Sequence, residues 1–152
     1  MRTYLRVRPF ILIKGEKYMG KSLIQTANQS SQTVAVDSII SLGSVLRRFG
    51  CNCRLNGNAI ELEGEGYYTV DVSAVATPTA AGNVTVSVFR NGVAIPGAIA
   101  TDSVTTVGNS STLAINTTVR LGCNCCGASS LTVVLTDGAG VIDNISMRVV
   151  KV

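Results

Sequence analysis

The chain has 152 residues and a mass of 15.8 kDa, enough for one domain with a hydrophobic core and a short extension. Hydrophobic residues make up 46% of the sequence and charged residues only 14%, so we expect apolar surface to be hidden between subunits. The sequence contains no histidine. This excludes Ser-His and Cys-His nucleophile activation and histidine metal ligation, and we predict that the protein is not an enzyme.

Most of the net charge of +4 comes from the N-terminus. Residues 1–21 contain six basic residues against one acid, Glu16, and carry +5, which leaves −1 for residues 22–152. We interpret residues 1–21 as an extended basic arm that docks on a partner. Specific nucleic-acid binding is disfavoured, because the aromatic residues of the body do not interleave with Lys or Arg. The basic residues of the arm are Arg2, Arg6, Arg8, Lys14, Lys17 and Lys21.

The N-terminal arm lacks the pattern of a targeting signal. Its apolar run, Phe10–Ile13, is far shorter than the ~20 residues that cross a bilayer, so no membrane span is predicted. Lys14, Glu16 and Lys17 stand where a secretory signal would have a small-residue cleavage site. Two interpretations stay open: a docking arm, or an upstream extension of a protein that starts at Met19.

Short β-strands are predicted directly after the arm. They alternate apolar and polar residues, or are short β-branched runs, and turn residues such as Gly43 and Gly57 bound them. Glu61, Glu63 and Glu65 recur at alternate positions. A row of carboxylates at that spacing could form a site, but a solvated strand face is the favoured interpretation. The predicted strands are Ser22–Ala27, Thr33–Val36, Ser44–Phe49 and a segment containing Ile60 and Leu62.

The middle of the chain carries the strongest strand pattern. Residues 67–76 and 84–89 alternate between opposite faces, which predicts two half-buried antiparallel strands. Asn91-Gly92 follows directly and is typical of a type I′ hairpin turn, because both residues tolerate positive φ. A short strand, Val93–Ile95, is then predicted to end at a second turn, Pro96-Gly97.

Three further strands are predicted around Leu113–Val119, Leu131–Leu135 and Ile145–Val149. Asp137–Gly140 has the composition of a tight turn. The chain then has about eight to ten strands at near-regular spacing, so we predict an all-β antiparallel sandwich or jelly roll over residues 22–152. The predicted core consists of Tyr68, Val70, Val72, Val84, Val86, Val88, Leu113, Ile115, Leu131, Val133, Ile145 and Met147.

Several motifs resemble a known family. The runs GEGYYTVDVSAV, GNVTVSVFRNGVAIPGA and LTVVLTDGAGVIDNISMRVVKV are similar to the jelly roll of complement globular heads and tumour necrosis factor. The runs SLIQTANQSSQTVAV, LRRFGCNCRLNGNAIELEGEGYY and GCNCCG resemble small proteins of gut-bacterial phages and prophages, which look similar to phage head-fibre or capsid-decoration proteins. The resemblance covers roughly residues 20–152. The chain has no Gly-x-y repeat, unlike the collagen-bearing members, so the head itself must hold any trimer.

The resemblance implies an assembly and a role. Members of the family are typically trimers packed around a threefold axis, so a homotrimer is expected. The implied function is a structural virion protein, a phage head fibre or capsid decoration, made in the bacterial host cytoplasm and located on the capsid surface. The basic arm would then dock on the major capsid protein or other virion proteins. The alternative is a receptor- or glycan-binding tip of a phage or bacterial surface, with Tyr67 and Phe89 as the candidate ligand contacts.

The cysteines form a local repeat, Arg-x-Gly-Cys-Asn-Cys, which occurs twice. If both copies are extended, Cys51 and Cys53 share one face, as do Cys123 and Cys125. Four thiolates are a suitable ligand set for tetrahedral Zn²⁺, although the spacing is not that of a C-x-x-C knuckle. Disulfides are a second interpretation. Unbonded thiols are favoured, because free cysteine packs as a small hydrophobe and the count of five is odd. No cofactor is therefore expected.

Overall fold

Two antiparallel β-sheets form the described part of the chain. The computed structural model describes residues 21–122 and 128–152. Its regular elements are all strands, which confirms the predicted all-β sandwich, and it contains no helix of the length and apolarity that a membrane crossing requires. The strands are β1 (Ser22–Asn28), β2 (Gln32–Val34), β3 (Ser38–Ile39), β4 (Ser44–Phe49), β5 (Cys53–Asn56), β6 (Ala59–Leu62), β7 (Gly66–Pro78), β8 (Gly82–Arg90), β9 (Val93–Val104), β10 (Ser111–Leu121), β11 (Ser129–Asp137) and β12 (Gly140–Lys151).

Each sheet has five strands in a row and one short strand beside them. The first sheet has the order β10-β7-β12-β1-β4, with β2 paired to β12. The second has the order β5-β6-β11-β8-β9, with β3 paired to β11. Ten of these twelve strands have four or more residues, which agrees with the predicted number; β2 and β3 have three and two. Because β10 packs beside β9 and β4 beside β5, the sandwich has a β9–β10 edge and a β4–β5 edge.

The core lies between the two sheets and is filled by one face of each long strand. All twelve side chains predicted for the core are buried, and Tyr68 is among the largest of the fully buried ones. Alternate burial in β7, β10 and β12 follows the pleat, since successive side chains point to opposite faces. The outward side chains of these strands therefore lie on a surface whose backbone packs on the core.

The hairpin between β8 and β9 has the predicted turn, but the predicted second turn is wrong. Asn91 and Gly92 have φ of 51° and 82° and connect paired residues, as a type I′ turn requires. Pro96-Gly97 instead lies inside β9, in a bulge where residues 95–98 oppose Val88 alone. Proline has no N–H to donate to the ladder, and the bulge directs Ala98 into the core.

Candidate functional site: the outer face of the first sheet

The outer face of the first sheet presents rows of side chains from neighbouring strands. One row contains small residues at paired positions, Ala27, Ser146, Ser73 and Ala114. The next row is polar and charged and consists of Arg47, Gln25, Arg148, Asp71 and Asn116. A third row mixes apolar and polar residues and consists of Phe49, Leu23, Val150, Thr69 and Thr118.

An ion pair between Arg148 and Asp71 lies at the centre of the charged row. Arg148 Nη2 lies 2.7 Å from Asp71 Oδ2, and Asn116 Nδ2 donates to the other oxygen of the same carboxylate. Both ion-pair partners are partly solvated, so we assign the pair little net stability. Its effect is to hold Asp71 and Arg148 against the sheet rather than extended into solvent.

A recess of about 420 Å³ lies in this face. The small side chains of Ser73, Ala114 and Ser146 line it, and Asp71 and Arg148 stand at its side. Large side chains around small ones leave a depression into which a protruding apolar group can fit. Short side chains at paired positions on β12, β7 and β10 are what create the recess. The alternation pattern alone did not reveal it, because the pairing of these strands is needed to place the three residues together.

Exposed apolar side chains lie on β9 and in the loop after it, at the β9–β10 edge of the sandwich. Val93 begins β9, Ile99 lies in its middle and Val107 lies in the loop that follows it. All three are exposed, Ile99 to 56%. We call these three residues the β9 set. Apolar side chains spread along one edge of a sandwich are suited to a contact with another subunit.

The two aromatic candidates lie on different sheets. Tyr67, on β7, is 54% exposed, and the guanidinium carbon of Arg120 lies 5.8 Å from its ring centroid, which is a cation–π arrangement. Phe89, on β8, is half-buried in the second sheet. Because Tyr68 and Val88 face the core, Tyr67 and Phe89 point outward from opposite sheets. The structure does not bring them together into one site.

The basic residues predicted to dock are mostly outside the described part. Lys21 is exposed and directly precedes β1. The others, Arg2, Arg6, Arg8, Lys14 and Lys17, lie outside the described residues.

The two N-terminal cysteines do not share one face. Residues 50–52 bend between β4 and β5, so Cys51 is exposed and Cys53 is buried. Burial raises the pKa of the Cys53 thiol to about 12, although Arg48 and Lys151 act in the opposite direction. Cys53 is therefore protonated at neutral pH and packs as a small apolar side chain. Residues 21–122 and 128–152 contain no cluster of three metal-ligating side chains; Cys123 and Cys125 lie outside the described residues.

A buried hydrogen-bond network beside Cys53 was not predicted. Ser22 Oγ donates to Asn52 Oδ1 at 2.7 Å, and Asn52 Nδ2 donates to the Glu63 carbonyl at 2.6 Å. Tyr68 donates its hydroxyl to the Gly64 carbonyl at 2.8 Å. A Cβ at Gly64 would lie 2.4 Å from Asn52 Nδ2, and the φ of Gly64 is +102°, so this position requires glycine. In the sequence, the asparagine of the repeated Cys-Asn-Cys motif was the signal that could have indicated this network.

The pKa values of Cys53 and Tyr68 predict a loss of stability at high pH. Burial raises the pKa of Tyr68 to about 12 as well, with further contributions from Cys53. Both groups are neutral when protonated, and the unfolded chain releases their protons nearer pH 9 and 10. Their stabilising contribution is thus complete below pH 9 and is lost as the pH rises towards 12.

We expect the urea midpoint of unfolding to fall between about pH 9 and 12, and to fall less steeply in Tyr68→Phe. Tyr67→Phe is the matched control, because it removes the hydroxyl of the exposed neighbour. Equal slopes in all three proteins would contradict a role for the Tyr68 hydroxyl.

Comparison with known proteins identifies the fold. No protein-family model matches the chain, and no curated protein matches it by sequence. Murine APRIL at pH 5.0 superposes with a TM-score of 0.67 over 87% of this chain and 99% of that chain, at 11% identity. The globular domain of the zebrafish complement 1qA protein gives 0.62 over 83% and 94%, at 7% identity. The fold is a jelly roll of this type.

A further similar structure is a vertex protein. The vertex protein P5 of PRD1 superposes with a TM-score of 0.56 over 86% of this chain and 96% of that chain, at 13% identity. Likeness at these identities establishes the fold, and the predicted jelly roll is confirmed.

Proposed function

We propose that this jelly roll is a structural virion protein, a homotrimeric head fibre or capsid decoration of a phage. The observation that carries the proposal is the structural likeness between this chain and the vertex protein of phage PRD1. The superposition covers 96% of the PRD1 chain. The likeness spans 86% of this chain, so it covers most of the sandwich rather than a single hairpin. The protein is made in the bacterial host cytoplasm and is located on the capsid surface.

The proposed trimer uses two different surfaces of each head. Subunits around a threefold axis make heterologous contacts, in which one surface meets a different surface of the neighbour. The β9 set supplies protruding apolar side chains, and the outer face of the first sheet supplies a recess lined by small ones. Seating Ile99 of one subunit against the recess of the next removes both from water.

The proposed capsid contact uses the basic arm. Six of the thirteen basic residues of the chain lie in residues 1–21, and the head carries a net −1. The arm is therefore the part of the chain with the charge to hold an acidic capsid surface, on the major capsid protein or another virion protein. The attraction is expected to weaken with salt, because exposed charges are screened.

The test compares occupancy on purified virions. We expect virions made with the wild-type gene to contain the protein, and virions made with a triple variant, Arg2→Gln, Arg6→Gln and Arg8→Gln, to contain little of it. Arg120→Gln, which changes one exposed charge of the head, is the control. Light scattering should give the same trimeric mass for all three proteins. Normal occupancy of the triple variant would exclude docking through the arm, and absence of the wild-type protein from virions would exclude the virion role itself.

A second candidate function, a receptor- or glycan-binding tip, is favoured by Tyr67. Its exposed ring beside the Arg120 guanidinium offers an aromatic face and hydrogen-bond donors, which suit a sugar. If this function holds, Tyr67→Ala should abolish binding to host-cell envelopes, while Phe89→Ala, on the other sheet, should leave it unchanged. Envelope binding that survives Tyr67→Ala would remove this candidate.

A further inference from the structure

Strand β4 is one of the two edge strands of the first sheet, β10 being the other. Its one strand partner within residues 21–122 and 128–152 is β1. The opposite side of β4 therefore has backbone N–H and C=O groups without a ladder partner among the described strands. Edges of this kind accept an additional strand unless they are covered or otherwise protected.

The side chains of β4 are also uncovered. All six of its residues are exposed, including Val45 at 39%, Leu46 at 59% and Phe49 at 55%. A six-residue strand with three exposed large apolar side chains is unusual for a surface that meets only water. A lone exposed hydrophobic residue needs no explanation, but three on one free edge indicate a contact surface.

The same edge has an uncompensated positive charge. Arg47 and Arg48 are adjacent on β4, and the two ion pairs of the described residues involve other arginines. Arg48 Nε donates to the Cys53 carbonyl at 2.8 Å, which neutralises no charge. Any strand that pairs with this edge therefore encounters two guanidinium groups beside exposed apolar side chains.

The positive charge of β4 distinguishes between three segments that could pair with it: the arm of the same chain, a second copy of β4, and a strand of another protein. Residues 1–20 contain five basic residues and one acid, so the arm of the same chain has the same sign as the edge. A second copy of β4 would place four arginines in one short ladder, and like charges on paired strands are destabilising. An acidic partner strand removes this repulsion and replaces it with attraction.

We infer that β4 is a docking edge for an extended acidic segment of another protein, which adds a strand to the first sheet. Register defines the pattern of that segment. Arg47 and Phe49 share the outer face, since they pair with Gln25 and Leu23, whereas Arg48 pairs with the buried Ile24. An antiparallel partner with the central sequence Val-Glu-Glu-Val places its first valine opposite Phe49 and its acids opposite Arg48 and Arg47, and its second valine falls at Leu46, where β4 has a register shift against β1. That the segment belongs to a virion protein rests on the proposed function; the strand addition does not.

The test uses an acetylated, fluorescent Val-Glu-Glu-Val peptide and the full chain at low salt. We expect saturable binding by anisotropy and slower hydrogen exchange of the β4 amides when peptide is bound. Arg47→Glu should weaken binding about tenfold, since one attraction becomes a repulsion. Arg120→Glu, on the other edge strand of the same sheet, should change it less than about twofold.

Two modified peptides separate charge from backbone pairing. A Val-Lys-Lys-Val peptide should bind Arg47→Glu more tightly than the wild type. A Val-Glu-Glu-Val peptide with N-methylated amides keeps the charge but has fewer donors, and should lose binding. The inference is overturned if the wild type shows no saturable binding, if both glutamate variants weaken binding equally, or if the β4 amides are already protected without peptide. The last result would mean that the arm or a second copy covers the edge.

Discussion

Mixing two monomeric variants is expected to produce a dimer. Ile99→Glu places a charge in the β9 set, and Ala114→Arg fills the recess on the outer face of the first sheet. The charge introduced at position 99 must be removed from water to enter the recess, and the longer side chain at position 114 occupies the volume that Ile99 would fill. Each variant alone should therefore have a mass near 15.8 kDa by light scattering, whereas the wild type should have about three times that mass.

The mixture is informative because the two variants retain different intact surfaces. The β9 set of Ala114→Arg can still meet the recess of Ile99→Glu, but the ring cannot close, so a heterodimer should appear as the protein concentration is raised. Val36→Glu is the control for an exposed apolar position outside both surfaces, and should leave the trimer intact. If the two variants stay trimeric alone, or stay monomeric when mixed, the heterologous contact described here is wrong.

Truncation of one core side chain is expected to have the largest effect on stability. Ile145 lies on β12 with 1% exposure, and Ile145→Ala removes its contacts and leaves a cavity between the sheets. Losses of about 2–5 kcal/mol are typical for such changes. Ile39→Ala removes the same atoms from a side chain that is 50% exposed, and should cost less than about 0.5 kcal/mol.

Denaturant titrations at one fixed protein concentration measure both variants, because assembly makes apparent stability depend on concentration. Similar unfolding midpoints for Ile145→Ala and Ile39→Ala would show that the core register of β12 is shifted by one residue, which exchanges its two faces.

The long strands could be predicted because their signal is local. The alternation in β7, β10 and β12 specifies which face is buried, and Asn91-Gly92 specifies one turn through backbone conformation alone. Neither prediction depends on distant parts of the chain. The predicted core was therefore correct in every residue.

The errors occurred where local pattern and tertiary structure disagree. Pro96-Gly97 has the composition of a turn, but its neighbours Ile95 and Ala98 pack against the core and hold it in a bulge. Cys51 and Cys53 were placed on one face by assuming an extended chain, whereas residues 50–52 bend to let Asn52 reach Glu63. No periodicity reports such a contact between residues eleven positions apart.

The candidate site was harder to predict than the fold because it depends on strand order. Ser73, Ala114 and Ser146 are unremarkable in sequence, and become a recess only when β10, β7 and β12 are neighbours. The same holds for β4, whose residues resemble those of any short strand until the order places it at an edge. Sheet order follows from long-range pairing, which a local pattern does not encode.

The position of β12 has a consequence for synthesis of the protein. This strand lies between β7 and β1, so residues 140–151 join two parts of the first sheet that have no other common neighbour. A nascent chain ending before residue 140 holds the apolar faces of β1 and β7 uncovered, and cannot complete the sandwich on the ribosome. The first sheet therefore closes only once residues 140–151 have been synthesised and can pair with both β7 and β1.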